Sequence, residues 1–114
     1  MKLPMVKLAT TSLAGLMLAA VSTLALADAA KGREKAKQVC AACHGEAGDK
    51  PIQPEYPMLA GQHGDYLFKA LRDYKSGLRK NPIMGGMAQP LSRDEMRDLA
   101  DWFSSQPSPL HVKR

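Results

Sequence analysis

The sequence predicts an all-α fold of about three main helices, and three observations carry the prediction. No segment alternates apolar and polar residues with the two-residue period of a strand. Apolar residues recur instead at helical spacing, most clearly Met96, Leu99, Ala100 and Phe103, the i, i+3, i+4, i+7 stripe of an amphipathic helix. Breaker residues gather in two stretches, Gly45 to Gly64 and Gly77 to Pro90, leaving three intervals in which helices can run.

The first interval, Asp28 to Val39, opens on a capping residue and continues through Lys31, Arg33, Glu34, Lys35, Lys37 and Gln38, all good or tolerated in helices. Its apolar face is thin. Ala29, Gly32, Ala36 and Val39 suit the close approach of another helix better than deep burial. Gly48, Pro51, Pro54, Pro57 and Gly61 then predict an ordered loop. A second helix is expected over Asp65–Ser76, where Leu67, Phe68, Ala70, Leu71 and Tyr74 share a face and Gly77 provides the stop. Pro82, Gly85, Gly86 and Pro90 return the chain to loop around Met84 and Met87. The third helix starts at Ser92-Arg93-Asp94-Glu95, a capping box, and ends near Gln106 and Pro107.

Ahead of these elements, Lys2 and Lys7 precede an uncharged, Leu- and Ala-rich stretch from Leu8 to Ala27 that closes on Ala25-Leu26-Ala27, the pattern of a cleavable secretory signal. Residues 1–27 are therefore expected to be a signal peptide and residues 28–114 one exported domain, with an uncleaved membrane anchor as the alternative. Removing Lys2 and Lys7 takes the formal charge from +5 to +3. The basic residues are scattered along helices without interleaved aromatics, a pattern that argues against a nucleic-acid partner.

A domain this small sits near the lower limit for folding on an apolar core and usually recruits a disulfide, metal or cofactor. Its two cysteines lie three positions apart, so a disulfide would close too small a loop to restrain the unfolded chain. Cys40-Ala41-Ala42-Cys43-His44 is instead the C-x-x-C-H signature of covalent haem attachment. Two thioether bonds fix one porphyrin edge, and the residue after the second bond brings its imidazole to the iron. A thioredoxin-like pair would need strands on either side, and a zinc site would need four ligands where only His63 and His111 remain at unsuitable spacings. The opposite iron face has six candidates: Met58, Met84, Met87, Met96, His63 and His111. Met96 lies on the core stripe of the third helix, and Met58 follows the attachment site closely for a chain that must cross to the other side. Met84 and Met87 lie where a loop can present sulfur, and residue pattern alone does not rank them.

Together with Tyr56-Pro57-Met58-Leu59-Ala60-Gly61-Gln62, Tyr66-Leu67, and Met84-Gly85-Gly86-Met87-Ala88 before Leu91-Ser92, the segment Cys40–Gly45 resembles the class I cytochromes c. The likeness is greatest to one half of the dihaem class I cytochromes of bacterial periplasms and to their single-haem relatives. It implies a class I cytochrome c fold wrapped around one covalently bound haem c with its iron, His44 and Met84 as axial ligands with Met87 as alternative, and Pro57 as the carbonyl that accepts a hydrogen bond from His44. It also implies a crossing of the first and last helices, with Gly32 and Ala36 against Trp102 or Phe103. The sequence departs from the dihaem relatives in having no second C-x-x-C-H, and from many relatives in having Ala70 where they carry a polar residue.

The function this implies is a periplasmic electron carrier rather than an enzyme, passing single electrons between a membrane quinol-oxidising complex and a terminal oxidase or periplasmic reductase. Two alternatives come from other classes: a haem enzyme or gas or redox sensor with an open sixth position, and a tethered cytochrome subunit of an oxidase or dehydrogenase. Membrane association would require an uncleaved N-terminal segment. Lys69, Arg72, Lys75, Arg79 and Lys80 form a basic run suited to an acidic partner.

Overall fold

A computed structural model describes residues 28–109, which are helical throughout apart from connecting loops. In chain order the helices are α1 (residues 28–39), α2 (Ala41–His44), α3 (Gly64–Ser76), α4 (Pro82–Ala88) and α5 (Arg93–Ser104). Among the described residues there is no strand, and α1, α3 and α5 are the three main helices. Residues 1–27, read as a secretory signal, and His111 lie outside the described residues. No described helix is long and apolar enough to cross a membrane.

Local chemistry accounts for the ends of α3 and α5. At α5 the capping box forms in full: the Glu95 amide donates to Ser92 Oγ at 3.1 Å, and the Ser92 amide donates to Glu95 Oε2 at 2.8 Å. Lys35 reaches the same carboxylate at 2.7 Å. The Lys35 hydrogen bond first, and the Ser92 amide second, hold the Glu95 carboxyl below its usual range. A carboxyl lowered in the folded state stabilises it at neutral pH, and that contribution is lost as the pH falls through the lowered value. Ser92→Ala is expected to cost the folded protein about 1 kcal/mol, the usual worth of an N-cap, measured by thermal unfolding. At the other end of α3, Gly77 adopts φ +83°, the left-handed stop foreseen from the sequence. Asp28 is already helical and pairs with Lys31 at 3.8 Å instead of capping α1.

Two short helices depart from expectation. The stretch Gly77 to Pro90 is not all loop, because Asn81 Oδ1 accepts from the Ile83 and Met84 amides at 3.0 Å each and Pro82 occupies the first helical turn. A proline there needs no donor and has the right φ, so Asn81-Pro82 starts a helix that Gly85 and Gly86 do not break. The other is α2, a single turn formed by the cysteine motif itself.

The core joins Ala36 of α1 to Leu67 of α3, Leu91, and Met96, Leu99, Ala100 and Phe103 of α5, with Leu59, Phe68, Leu71 and Trp102 packed around it. The α1–α5 crossing is as close as a backbone allows. A Cβ on Gly32 would stand 2.0 Å from the Asp98 carbonyl oxygen and 3.0 Å from Trp102 Cβ. Trp102 also donates its indole N–H to the Glu46 carbonyl at 3.3 Å, which ties α5 to the loop behind α2. Gly48, at φ +74°, accepts at its carbonyl from the Leu59 and Ala60 amides and leaves no room for a side chain beside Phe103.

Candidate functional site

The site is built where α1 passes into α2. The Cys40 amide still donates to the Ala36 carbonyl at 2.9 Å, and the Cys40 carbonyl then accepts from Cys43 at 3.2 Å and from His44 at 3.0 Å. One turn of backbone therefore holds both thiols and the imidazole together. Gly45, at φ +86°, ends the turn, and the Ile52 amide returns to the Cys43 carbonyl at 3.0 Å. The proline-rich loop is thus pinned back onto the motif.

His44 is 6% exposed, the only buried polar or charged side chain among the described residues. Its Nδ1 stands 2.9 Å from the Pro57 carbonyl, which can only accept, so Nδ1 carries a proton and, in the neutral imidazole, Nε2 is the nitrogen left for a metal. A buried imidazole in this tautomer is arranged to bind a metal through Nε2. The Tyr56 ring packs against it with centroids 6.0 Å apart and planes at 48°.

Both cysteines are free and half-buried. Burial foremost, then the neighbouring Cys43, pushes the Cys40 thiol up to about 11 against the pull of Lys35. A dithiol redox centre needs a lowered thiol pKa, so this environment argues against thiol–disulfide chemistry. A zinc site fares no better. Among the described residues no three His, Cys, Asp or Glu side chains are placed to hold a metal, and His63 is exposed at the start of α3. The residues do fit a covalently attached haem: two free thiols on one turn, and beside them a buried imidazole whose Nε2 can face a metal.

The candidates for the opposite ligand are distributed differently. Met96 is 4% exposed within the core, as its place on the helical stripe implies. Met58 is half-buried beside Pro57 on the loop that holds His44. Met84 is half-buried on α4, with Met87 one turn further on at 39% exposure. The structure brings Cys40, Cys43, His44 and Pro57 together, whereas Met84 stands on a helix that packs against α3. Gln89 Nε2 donates to the Lys75 carbonyl at 2.8 Å, and Lys75 Nζ donates to the Leu91 carbonyl, so the C-terminal end of the α4 segment is tied to α3. Asn81, Lys75 and Gln89 are the positioning residues sequence reasoning missed. The Asn-Pro pair was a readable signal for the first of them, and nothing local marked the other two.

A helical fold around a Cys-x-x-Cys-His turn with a fixed, buried imidazole defines a c-type cytochrome domain. The family model for cytochrome c matches residues 29–107, and the chain belongs to the cytochrome c family, whose haem c, with its iron, is covalently bound. It is 45% identical over 80 residues to cytochrome c4 of Thiocapsa roseopersicina, covering 70% of this chain and 41% of that protein. It is 42% identical over 82 residues to cytochrome c-554(548) of Halomonas halodenitrificans, covering 69% of this chain and 96% of that one. The crystal structure of reduced recombinant cytochrome c4 from Pseudomonas stutzeri superposes with a TM-score of 0.65 at 41% identity, over 72% of this chain and 47% of that chain. The chain thus spans less than half the length of the cytochrome c4 relatives and nearly all of a cytochrome c-554(548).

Proposed function

We propose that this protein is a periplasmic electron carrier that holds one haem through Cys40 and Cys43, with His44 and Met84 as axial ligands. Residues 1–27 serve as the export signal in this reading, and residues 28–114 are the working domain. The observation that carries it is the hydrogen bond from His44 Nδ1, on the turn that bears both cysteines, to the Pro57 carbonyl of the returning loop. When bound, haem c supplies a one-electron ferrous–ferric couple.

The chain's own residues hold that couple closed and rigid. The Pro57 carbonyl fixes the imidazole in one tautomer and one orientation, so His44 need not reorient when the charge at the iron changes. Its burial keeps water from that side. With haem bound, Met84 would offer a neutral thioether, a weak donor that would favour the reduced state and leave no open position for oxygen or peroxide chemistry. Asn81 caps the first turn of α4 and Gln89 ties its far end to α3, which together position Met84. His63, the nearest thing in sequence to a distal base, is exposed, so the enzyme reading finds no support in the described residues. Transient partners of the kind named above, a quinol-oxidising complex and a terminal oxidase or reductase, fit a carrier of this size.

Axial ligands span about 0.8 V of haem potential across proteins, so Met84→Ala is expected to lower the reduction potential by on the order of 100 mV and to admit carbon monoxide to the reduced protein. Met87→Ala should do neither. Potentiometric titration and carbon monoxide binding of the two variants check this. A potential that moves with Met87 and not with Met84 reverses the ligand assignment, and rapid carbon monoxide binding by the unaltered protein replaces the carrier reading with a sensor or enzyme.

A further inference from the structure

The basic run from Lys69 to Lys80 does not survive folding as one patch. Lys69 pairs with Asp73, Lys75 donates to the Leu91 carbonyl, and Arg79 lies over the Tyr74 ring at 4.8 Å while donating to the Tyr66 hydroxyl at 3.4 Å. Arg72 belongs to a different grouping. Its guanidinium stands 5.6 Å from the centroid of the half-buried Phe68 ring, Arg93 stands 5.3 Å from the same centroid, and Arg97 stands 5.2 Å from it. Three exposed guanidiniums, one from α3 and two from the start of α5, thus converge on one aromatic side chain.

Their charge is not balanced within the fold. Among the described residues Arg97 has one carboxylate, Asp94 at 3.7 Å, and both side chains are more than half exposed; Arg72 and Arg93 have none. Ring contact offsets some mutual repulsion, yet three like charges around one ring remain costly without an anion. Contact with the ring also restrains each guanidinium and leaves planar N–H donors for a carboxylate. Restrained arginines around an aromatic anchor are what a protein interface uses to take up acidic side chains in register.

We propose that Phe68, Arg72, Arg93 and Arg97 form a docking surface for a carboxylate-rich segment of a partner protein. The partner's role as electron donor or acceptor rests on the function proposed above, whereas the binding does not. Hexaglutamate, titrated into the ¹⁵N-labelled ferrous holoprotein at low ionic strength, is the probe. Backbone shifts should centre on Phe68, Arg72, Arg93 and Arg97 and fade with added salt. Binding should weaken about fivefold in Arg72→Gln or Arg93→Gln and stay within twofold of the parent in Lys69→Gln/Lys80→Gln, although the double variant loses more charge. Absence of shifts, shifts centred on Lys69 and Lys80, or weakening that follows net charge alone overturns the proposal. So does binding to anionic lipid vesicles through these arginines without binding to the peptide. A methionine–iron absorption band retained in a protein that ignores hexaglutamate removes this surface and leaves the electron carrier standing.

Discussion

A Cys40→Ala/Cys43→Ala variant, unable to attach haem as proposed, is expected to lose its cooperative helical fold. The described residues bury nine apolar side chains, and four of them are the alanines Ala36, Ala60, Ala88 and Ala100. Leu99 alone among the large side chains falls below 2% exposure. A core so thin, at a chain length where apolar burial barely offsets chain entropy, depends on the area that a porphyrin adds. A bound cofactor stabilises only the folded state, so removing its attachment shifts the equilibrium towards the unfolded chain. Far-ultraviolet circular dichroism should show weak helical signal and no sigmoidal melt. A cooperative thermal transition in this variant would show that side chains suffice.

The second large effect is expected at Gly32. Alanine places a Cβ 2.0 Å from the Asp98 carbonyl oxygen and 2.7 Å from its carbon, and neither is the end of a side chain that can swing aside. The helices must separate, and with them the contacts of Ala36 and Trp102. Overpacking on this scale costs about 3 kcal/mol, which in a domain of this size lowers the melting temperature by on the order of 15 °C. The same substitution at Gly86, where nothing lies within 4 Å of the added carbon, should be neutral or slightly stabilising. Equal melting temperatures for the two ferric holoproteins would contradict the crossing geometry.

That α1 admits another backbone was legible from Gly32 and Ala36, small residues four apart on a helix with no large apolar side chain, whereas α5 as the partner was implied only by the resemblance to class I cytochromes c. The capping box of α5 and the Gly77 stop were legible for a different reason: each is complete within four residues. Helix α4 was missed because Gly85, Gly86 and two prolines count as breakers in a tally, whereas Pro82 after Asn81 starts a helix. The attachment turn could be read from five consecutive residues, but the burial of His44 depends on a loop that returns thirteen positions later. The basic run shows the limit most clearly. A sequence records that Lys69, Lys75 and Arg79 are basic, while their engagement with Asp73, the Leu91 carbonyl and two tyrosines depends on folded geometry. The cluster around Phe68 is the converse case, since Arg72 on α3 is separated in the chain from Arg93 and Arg97 on α5 by the whole of α4.

The most direct test of the proposed function is the far-red visible spectrum of the purified ferric holoprotein. A weak charge-transfer band from methionine sulfur on low-spin iron is the predicted result, present in the Met87→Ala protein and absent from Met84→Ala. A protein with covalently bound haem and no such band would have a second histidine or an open position at the iron, and the closed His44/Met84 electron carrier would be wrong.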